Sequence, residues 1–251
     1  MGTVRKIYRF EKFIEIEEYH DGRYGAPGKK REEKKKPTPE QMEKVNQMNR
    51  EKKTRWRLRE YFKENDYFTT LTYRKEERPP DMERAKEDFK KFIRKMRDWY
   101  FKKGHETFWI RNIEHGTKGA WHIHLVINRI EDTDILLSKA WPHGKVISQL
   151  MYEKGGFADL AAYMTKTEKA GETEEPEKKG KKIREASYSA SKNMPLPKPT
   201  KKKLIRWPKE PYVKKGWILE KGTYHEGINP VTGYKYRRYT LVKPTNPYRR
   251  I

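Results

Sequence analysis

A chain of 251 residues with 60 lysines and arginines against 36 aspartates and glutamates carries a formal net charge of +24, has no cysteine and is only 33% hydrophobic. Disulfides and cysteine-ligated zinc are excluded, and with no long apolar segment, signal peptide or lipidation motif the expected setting is the cytoplasm, away from membranes. The length fits one domain, or one with an appendage.

Such an excess of positive charge requires a polyanion. With 16 tyrosines and 7 tryptophans interleaved among the cations, nucleic acid fits best, since aromatic rings stack on unpaired bases while cations track phosphates. The low hydrophobic fraction also implies extended or solvated stretches. The lysine-rich segment 28–36 and the mixed Glu/Lys segment 169–182 are the expected mobile connections, and the loops 20–36 and 169–194 are candidate specificity elements by position.

In chain order, Tyr8, Phe10, Ile14 and Ile16 share one parity, broken by Lys12, and predict a strand over 8–16. Thr38-Pro39-Glu40-Gln41 supplies an N-cap, a proline at the first helical position and a capping-box glutamine, so a helix is expected from there to about Glu64. Along it Arg50, Lys53, Arg57 and Glu60 recur at helical spacing. The three cations form a candidate DNA-facing stripe, against the plainer reading of a solvated helix face. Residues 67–73 are β-branched and aromatic and predict a strand at the centre of the sheet. Behind Pro79-Pro80-Asp81, the residues Met82, Ala85, Phe89, Phe92, Ile93, Met96 and Trp99 make one apolar stripe of a core-packing helix. Strands over 108–114 and 121–128, a turn at Trp141-Pro142-His143-Gly144, a short strand over 145–148 and a helix over about 157–168 follow. The order β-α-β-β-(β)-α implies an α+β fold, a central antiparallel sheet with packed helices.

The last eighty residues differ in character. Pro195, Pro197, Pro199, Pro208 and Pro211 punctuate a basic extended segment that cannot be a long helix. Strands are expected over 217–224 and 234–242 around the turn-rich 229–233, with the strand over 8–16 as a candidate partner. Three regions result: an N-terminal strand and charged helix over 1–65, a central domain over 66–170, and a basic proline-rich linker with a β-hairpin extension over 171–251.

The chemistry is concentrated in two places. His122 and His124 stand two apart in an apolar strand, so both imidazoles leave the same face and can reach one metal ion. The preceding strand and its glycine-containing turn bring Glu114 beside them, while His115 points to the opposite face of a regular strand. Two strand histidines can be plain hydrogen-bonded residues. Burying both without partners is costly, however, and the arrival of a carboxylate favours a site of Glu114, His122 and His124. Mixed nitrogen and oxygen ligands suit Mn²⁺ or Mg²⁺ without excluding Zn²⁺, and open positions on the ion would grip a phosphate oxygen. In the helix over 157–168, Tyr163 and Lys166 lie three apart on one face with Asp159 a turn earlier. A phenol of reference pKa about 10 needs activation as a nucleophile, and the Lys166 cation is placed to provide it or to bind the phosphate. The alternative is a tyrosine that merely packs its ring on the sheet. Tyr152 lacks an aligned lysine, and Thr70 and Thr72 are expected to pack or orient the site.

Taken in order, residues 68–73, then Glu114 with His122-Ile123-His124, then Tyr163-Met164-Thr165-Lys166 resemble the three successive motifs of the HUH endonucleases. The likeness is to the single-tyrosine rolling-circle replication initiators of phages and plasmids, over roughly residues 66–170. Residues 187–197 are similar to the region after the third motif. The resemblance implies a ferredoxin- or RRM-like sheet whose histidines face the tyrosine helix, a divalent ion, and nicking of single-stranded DNA at an origin. A second tyrosine one helical turn away is absent, since Asp159 and Thr167 occupy those positions. No Gly-x-x-x-x-Gly-Lys-Ser/Thr loop occurs, so a separate helicase and a host polymerase are expected as partners, with no small-molecule cofactor. A single-tyrosine transposase is disfavoured by the arm before residue 66 and the extension after 170, and a conjugative relaxase by motif order. The reading from another class is a metal-free protein binding single strands on its sheet aromatics.

Overall fold

The computed structural model describes residues 2–21, 37–116, 119–152, 157–166, 183–229 and 234–244. The segments expected to be mobile, 28–36 and 169–182, lie outside them, as does most of the candidate specificity loop 20–36. In chain order the elements are β1 (Gly2–Arg9), β2 (Phe13–Asp21), α1 (Pro39–Tyr61), β3 (Tyr67–Thr72), α2 (Met82–Lys102), β4 (Trp109–Gly116), β5 (Trp121–Ile127), α3 (Thr133–Ala140), β6 (Val146–Leu150), α4 (Ala158–Met164), β7 (Ile183–Ala190), β8 (Thr200–Leu204), β9 (Ile218–Leu219), β10 (His225–Ile228) and β11 (Lys235–Val242). The fold is α+β, and every strand pairing is antiparallel. Two compact units form, one from residues 1–46 and 197–251, the other from 47–196. Among the described residues no helix is long and apolar enough to cross a membrane.

The unit over 47–196 is built on the sheet β6-β3-β5-β4-β7. The α2 stripe packs as its spacing predicts: Phe89, Phe92, Ile93 and Met96 are buried with Leu71, Ile113, Ile123 and Leu125 of the sheet and Leu137 of α3. Full burial of each such side chain contributes roughly 1.5–3 kcal/mol. Asp81 caps α2, its carboxylate accepting from the backbone N–H of Arg84 at 2.8 Å. The opposite sheet face packs Ile110 and Val126 against Leu58 of α1, Phe62, and Ala161 and Met164 of α4. Strand β5 is thus covered on both sides, which is why its sequence is almost wholly apolar apart from the two histidines. β3 is interior rather than central. α3 and β7 were not expected from the sequence: α3 is too short for a helical period to register, and β7 reads Ile-Arg-Glu-Ala-Ser-Tyr-Ser-Ala, with little β-branching.

The capping box at the start of α1 is reciprocal, Thr38 Oγ1 accepting from Gln41 N at 3.2 Å and Gln41 Oε1 from Thr38 N at 3.0 Å. The unit over 1–46 and 197–251 carries the sheet β10-β11-β2-β1-β8, with β9 also on β11. The single strand expected over 8–16 is instead a hairpin: β1 ends at Arg9, β2 starts at Phe13, and Phe10 N donates to Phe13 O at 2.8 Å. The parity break at Lys12 is the turn itself. β2 pairs with β11, as anticipated for the N-terminal segment. Of the strand expected over 217–224 only β9 forms, and the hairpin partner of β11 is β10. Ile7, Ile14, Ile16, Tyr239 and Leu241 form this unit's core, beside which the buried Glu18 carboxylate is held between Arg5 and Arg237.

Candidate active site

The ladder register of the second unit arranges the face beneath α4 in rows. Glu114 of β4 lies opposite His122 of β5, which lies opposite Thr72 of β3; the next row is Asn112, His124 and Thr70; the third is Ile110, Val126 and Phe68. The two-residue period of three neighbouring strands therefore puts both histidines and the glutamate on one surface, as the sequence spacing requires. The His122 and His124 rings lie 6.3 Å apart and nearly parallel.

His124 is the hub of this surface. Its Nε2 is 3.3 Å from Glu114 Oε2 and 3.1 Å from the Tyr163 hydroxyl, and its Nδ1 is 3.2 Å from Thr70 Oγ1. Phe68 stacks on the imidazole at 6.0 Å and meets the Tyr163 ring edge-on at 5.8 Å. Tyr163 reaches this place because α4 buries Ala161 and Met164 against the sheet, which turns the tyrosine toward β5. Burial, and secondarily the charge of Glu114, push its phenol up to about 12.

Lys166 is not in a helix, contrary to expectation. α4 ends at Met164, where Thr165 Oγ1 donates back to Ala161 O at 2.8 Å and competes for the carbonyls that would continue it. The exposed Lys166 nevertheless turns back, its Nζ standing 4.7 Å from the centroid of the Tyr163 ring. Gln47 of α1 fastens the same corner, donating to Thr165 O at 3.0 Å and to Glu51 Oε1 at 2.9 Å.

The sequence reading missed Asn112. It is fully buried, and its Nδ2 donates to Glu114 Oε1 at 3.1 Å and to Lys166 O at 3.3 Å, joining the glutamate to the chain that follows the tyrosine helix. Its Oδ1 is buried without a hydrogen-bond partner. The parity that singled out Glu114 would have found it, because residues 112 and 114 leave the same face. Thr70 has the orienting place expected of it. Tyr152 is 73% exposed. Of the three α1 cations, Arg57 spends its Nε on Met194 O at 3.3 Å, Arg50 is half-buried and Lys53 is exposed.

Among the described residues no three His, Asp or Glu side chains are gathered closely enough to hold a metal ion. Glu114 and His124 instead face each other directly. One carboxylate and two imidazoles on a single face are donor types that divalent cations take.

An antiparallel sheet carrying two histidines, a glutamate and a helix-borne tyrosine is the surface that the comparison with known families reaches. Residues 66–168 match the family model of the replication-associated protein ORF2/G2P, a stretch running from the start of β3 through α4. This part of the chain is similar to Rep-like proteins of replication initiation. No curated protein and no solved structure matches the chain.

Proposed function

We propose that the protein nicks and rejoins single-stranded DNA at an origin to begin rolling-circle replication, with Tyr163 as the nucleophile. The observation that carries this reading is the Tyr163 hydroxyl at 3.1 Å from His124 Nε2, on the same surface as Glu114 and His122. Attack by the phenol oxygen forms a Tyr163 O–P bond and breaks the P–O3′ bond, leaving a 5′-phosphotyrosine and a free 3′-hydroxyl for a polymerase. The phenolic proton leaves and the departing 3′ oxygen gains one, so the step is balanced, and reversal rejoins the strand.

Glu114, His122 and His124 would hold Mn²⁺ or Mg²⁺, which when bound neutralises charge on a non-bridging phosphate oxygen and offsets the Glu114 charge that raises the phenol's pKa. The chain's own residues supply the rest. Thr70 and Phe68 fix the His124 ring, Asn112 holds Glu114, and Lys166 places a cation beside the phenol. A separate helicase and a host polymerase would be the partners, in the cytoplasm of a bacterial or phage-infected cell. A second reading, a non-catalytic single-strand-binding protein, is favoured by the direct Glu114–His124 contact and the raised Tyr163 pKa.

A denaturing gel after mixing the protein with randomised single-stranded DNA and Mn²⁺, beside an EDTA control and Tyr163→Phe, separates the two. An SDS-resistant adduct lost in both controls is expected. Tight binding indifferent to EDTA, with no adduct, would establish the binding protein instead.

A further inference from the structure

The rows of the candidate site continue past the catalytic residues onto the edge strand β6. Opposite Thr70 stands Ile147, opposite Phe68 stands Gln149, and beside Thr72, just before the strand begins, stands Lys145. Side chains at these register positions leave the face that bears His124. Lys145 and Gln149 are exposed, and Ile147, an apolar residue in a strand, is 51% exposed. The α4 side of the face is covered by Tyr163, Ala161 and Met164, whereas this lane is exposed at Lys145, Ile147 and Gln149, its β3 strand adjoining the strand of His124, which the Tyr163 hydroxyl meets.

The lane is also held rigidly. Thr72 N donates to Lys145 O at 2.9 Å, and Lys145 N donates to Thr72 Oγ1 at 3.1 Å. Gly144 lies so close to β3 that a Cβ there would fall 2.1 Å from Thr72 O. Trp141 Nε1 adds a bond to the same carbonyl at 2.8 Å. A positive charge, an apolar patch and a carboxamide are thus fixed at the ends of three successive rows.

We infer that this lane of β3 and β6 seats the nucleotides next to the scissile phosphate. Lys145 takes a backbone phosphate, Ile147 packs on a base and Gln149 reads a base edge. The inference rests on the proposed nicking only for which phosphate reacts. Same-face residues two apart on a strand are spaced by about 6.8 Å, roughly twice the 3.4 Å separating stacked nucleotides along a strand. One base per row therefore requires an unstacked strand, and the lane suits single-stranded DNA rather than duplex. A carboxamide both donates and accepts, so Gln149 can distinguish base edges that a methyl or a carboxylate cannot.

The test combines binding and cleavage. In a Tyr163→Phe background, which removes the nucleophile, anisotropy with a pool of randomised single-stranded DNA is measured against salt for Lys145→Gln, Ile147→Thr and Gln149→Glu. Lys145→Gln is expected to shallow the log–log salt slope by about 0.7, the contribution of one phosphate contact on a single strand. Sequencing the bound pool is expected to show the preferred base at one position change at least fivefold with Gln149→Glu, and to show that same position adjoining the wild-type adduct junction. Unchanged slope and base preference in all three variants would overturn the inference, as would loss of self-association in place of DNA binding, which would assign the edge strand to a second copy. Altered binding with no adduct from the wild type would retain the lane and sink the nickase.

Discussion

Replacing Asn112 tests the innermost link of the site. Its amide gives one hydrogen bond to a carboxylate and one, longer, to a backbone carbonyl. A hydrogen bond to a charged partner contributes about 1.5–3 kcal/mol and an ordinary one about 0.5–1.5 kcal/mol, while the partnerless buried Oδ1 costs about 1–3 kcal/mol. Asn112→Ala removes both gains and the cost together, so a modest net loss of about 1–2 kcal/mol is expected, a fall in Tm of roughly 3–6 °C. Asn112→Asp keeps the shape but sets a second carboxylate beside Glu114 with no donor between them. Burial and like charge raise the folded-state pKa of such an aspartate above its unfolded value of about 3.9. Its penalty is therefore full at neutral pH and shrinks as pH falls through the raised value toward the unfolded one. Urea unfolding of wild type, Asn112→Ala and Asn112→Asp at pH 7 and pH 5 should place the aspartate lowest at pH 7, with its deficit narrowing at pH 5. An aspartate variant no worse than alanine at pH 7 would show that the donation from Asn112 to Glu114 does not hold the two groups together, and the reasoning would fail.

Gly144→Ala should cost more than 2 kcal/mol, about 5 °C or more in Tm, because the added methyl would meet the backbone of Thr72, which cannot move without breaking the β3–β6 ladder; a Tm within a degree of wild type would show that the turn shifts freely. The hydrogen bond from His143 lowers the Glu77 carboxyl below its ordinary value. Its contribution to stability is therefore present above the unfolded pKa near 4.5 and lost as pH falls through the depressed one. Glu77→Gln should flatten the stability profile in that acid window, as read from Tm against pH; a profile unchanged there would refute the pairing.

Periodicity made the second unit's framework legible. The α2 stripe and the i, i+2 histidines each have one geometric solution, and β4 and β5 follow from them with Glu114 in place. The site's supporting residues were harder to read because their roles come from register between strands far apart in sequence. Asn112 shares the parity of Glu114, but its bond to the Lys166 carbonyl, like the bonds between Lys145 and Thr72, is announced by no local pattern. Lys166 stands two residues beyond the end of α4 instead of within it, since Thr165 turns its hydroxyl onto Ala161 and ends the helix at Met164. In the first unit the same parity rule misled: Tyr8 and Ile14 agree in phase across a turn, so a hairpin read as one strand.

The sharing of His124 Nε2 ties two events together. That nitrogen faces both Glu114 and the Tyr163 hydroxyl, so on the proposed metal reading a cation held there would displace the hydroxyl, and the ion and the hydroxyl make competing claims on one lone pair. Removing the hydroxyl should then favour the ion. With one hydrogen bond of about 0.5–1.5 kcal/mol at stake, Tyr163→Phe is expected to bind Mn²⁺ roughly 2–10-fold more tightly than wild type, measurable by calorimetry or by the loss of free-ion signal in electron paramagnetic resonance. Glu114→Gln, which removes the carboxylate charge, should weaken binding in both backgrounds. If Tyr163→Phe binds Mn²⁺ more weakly, the hydroxyl is a ligand rather than a competitor, and the contact at His124 is a step toward the loaded site instead of an alternative to it.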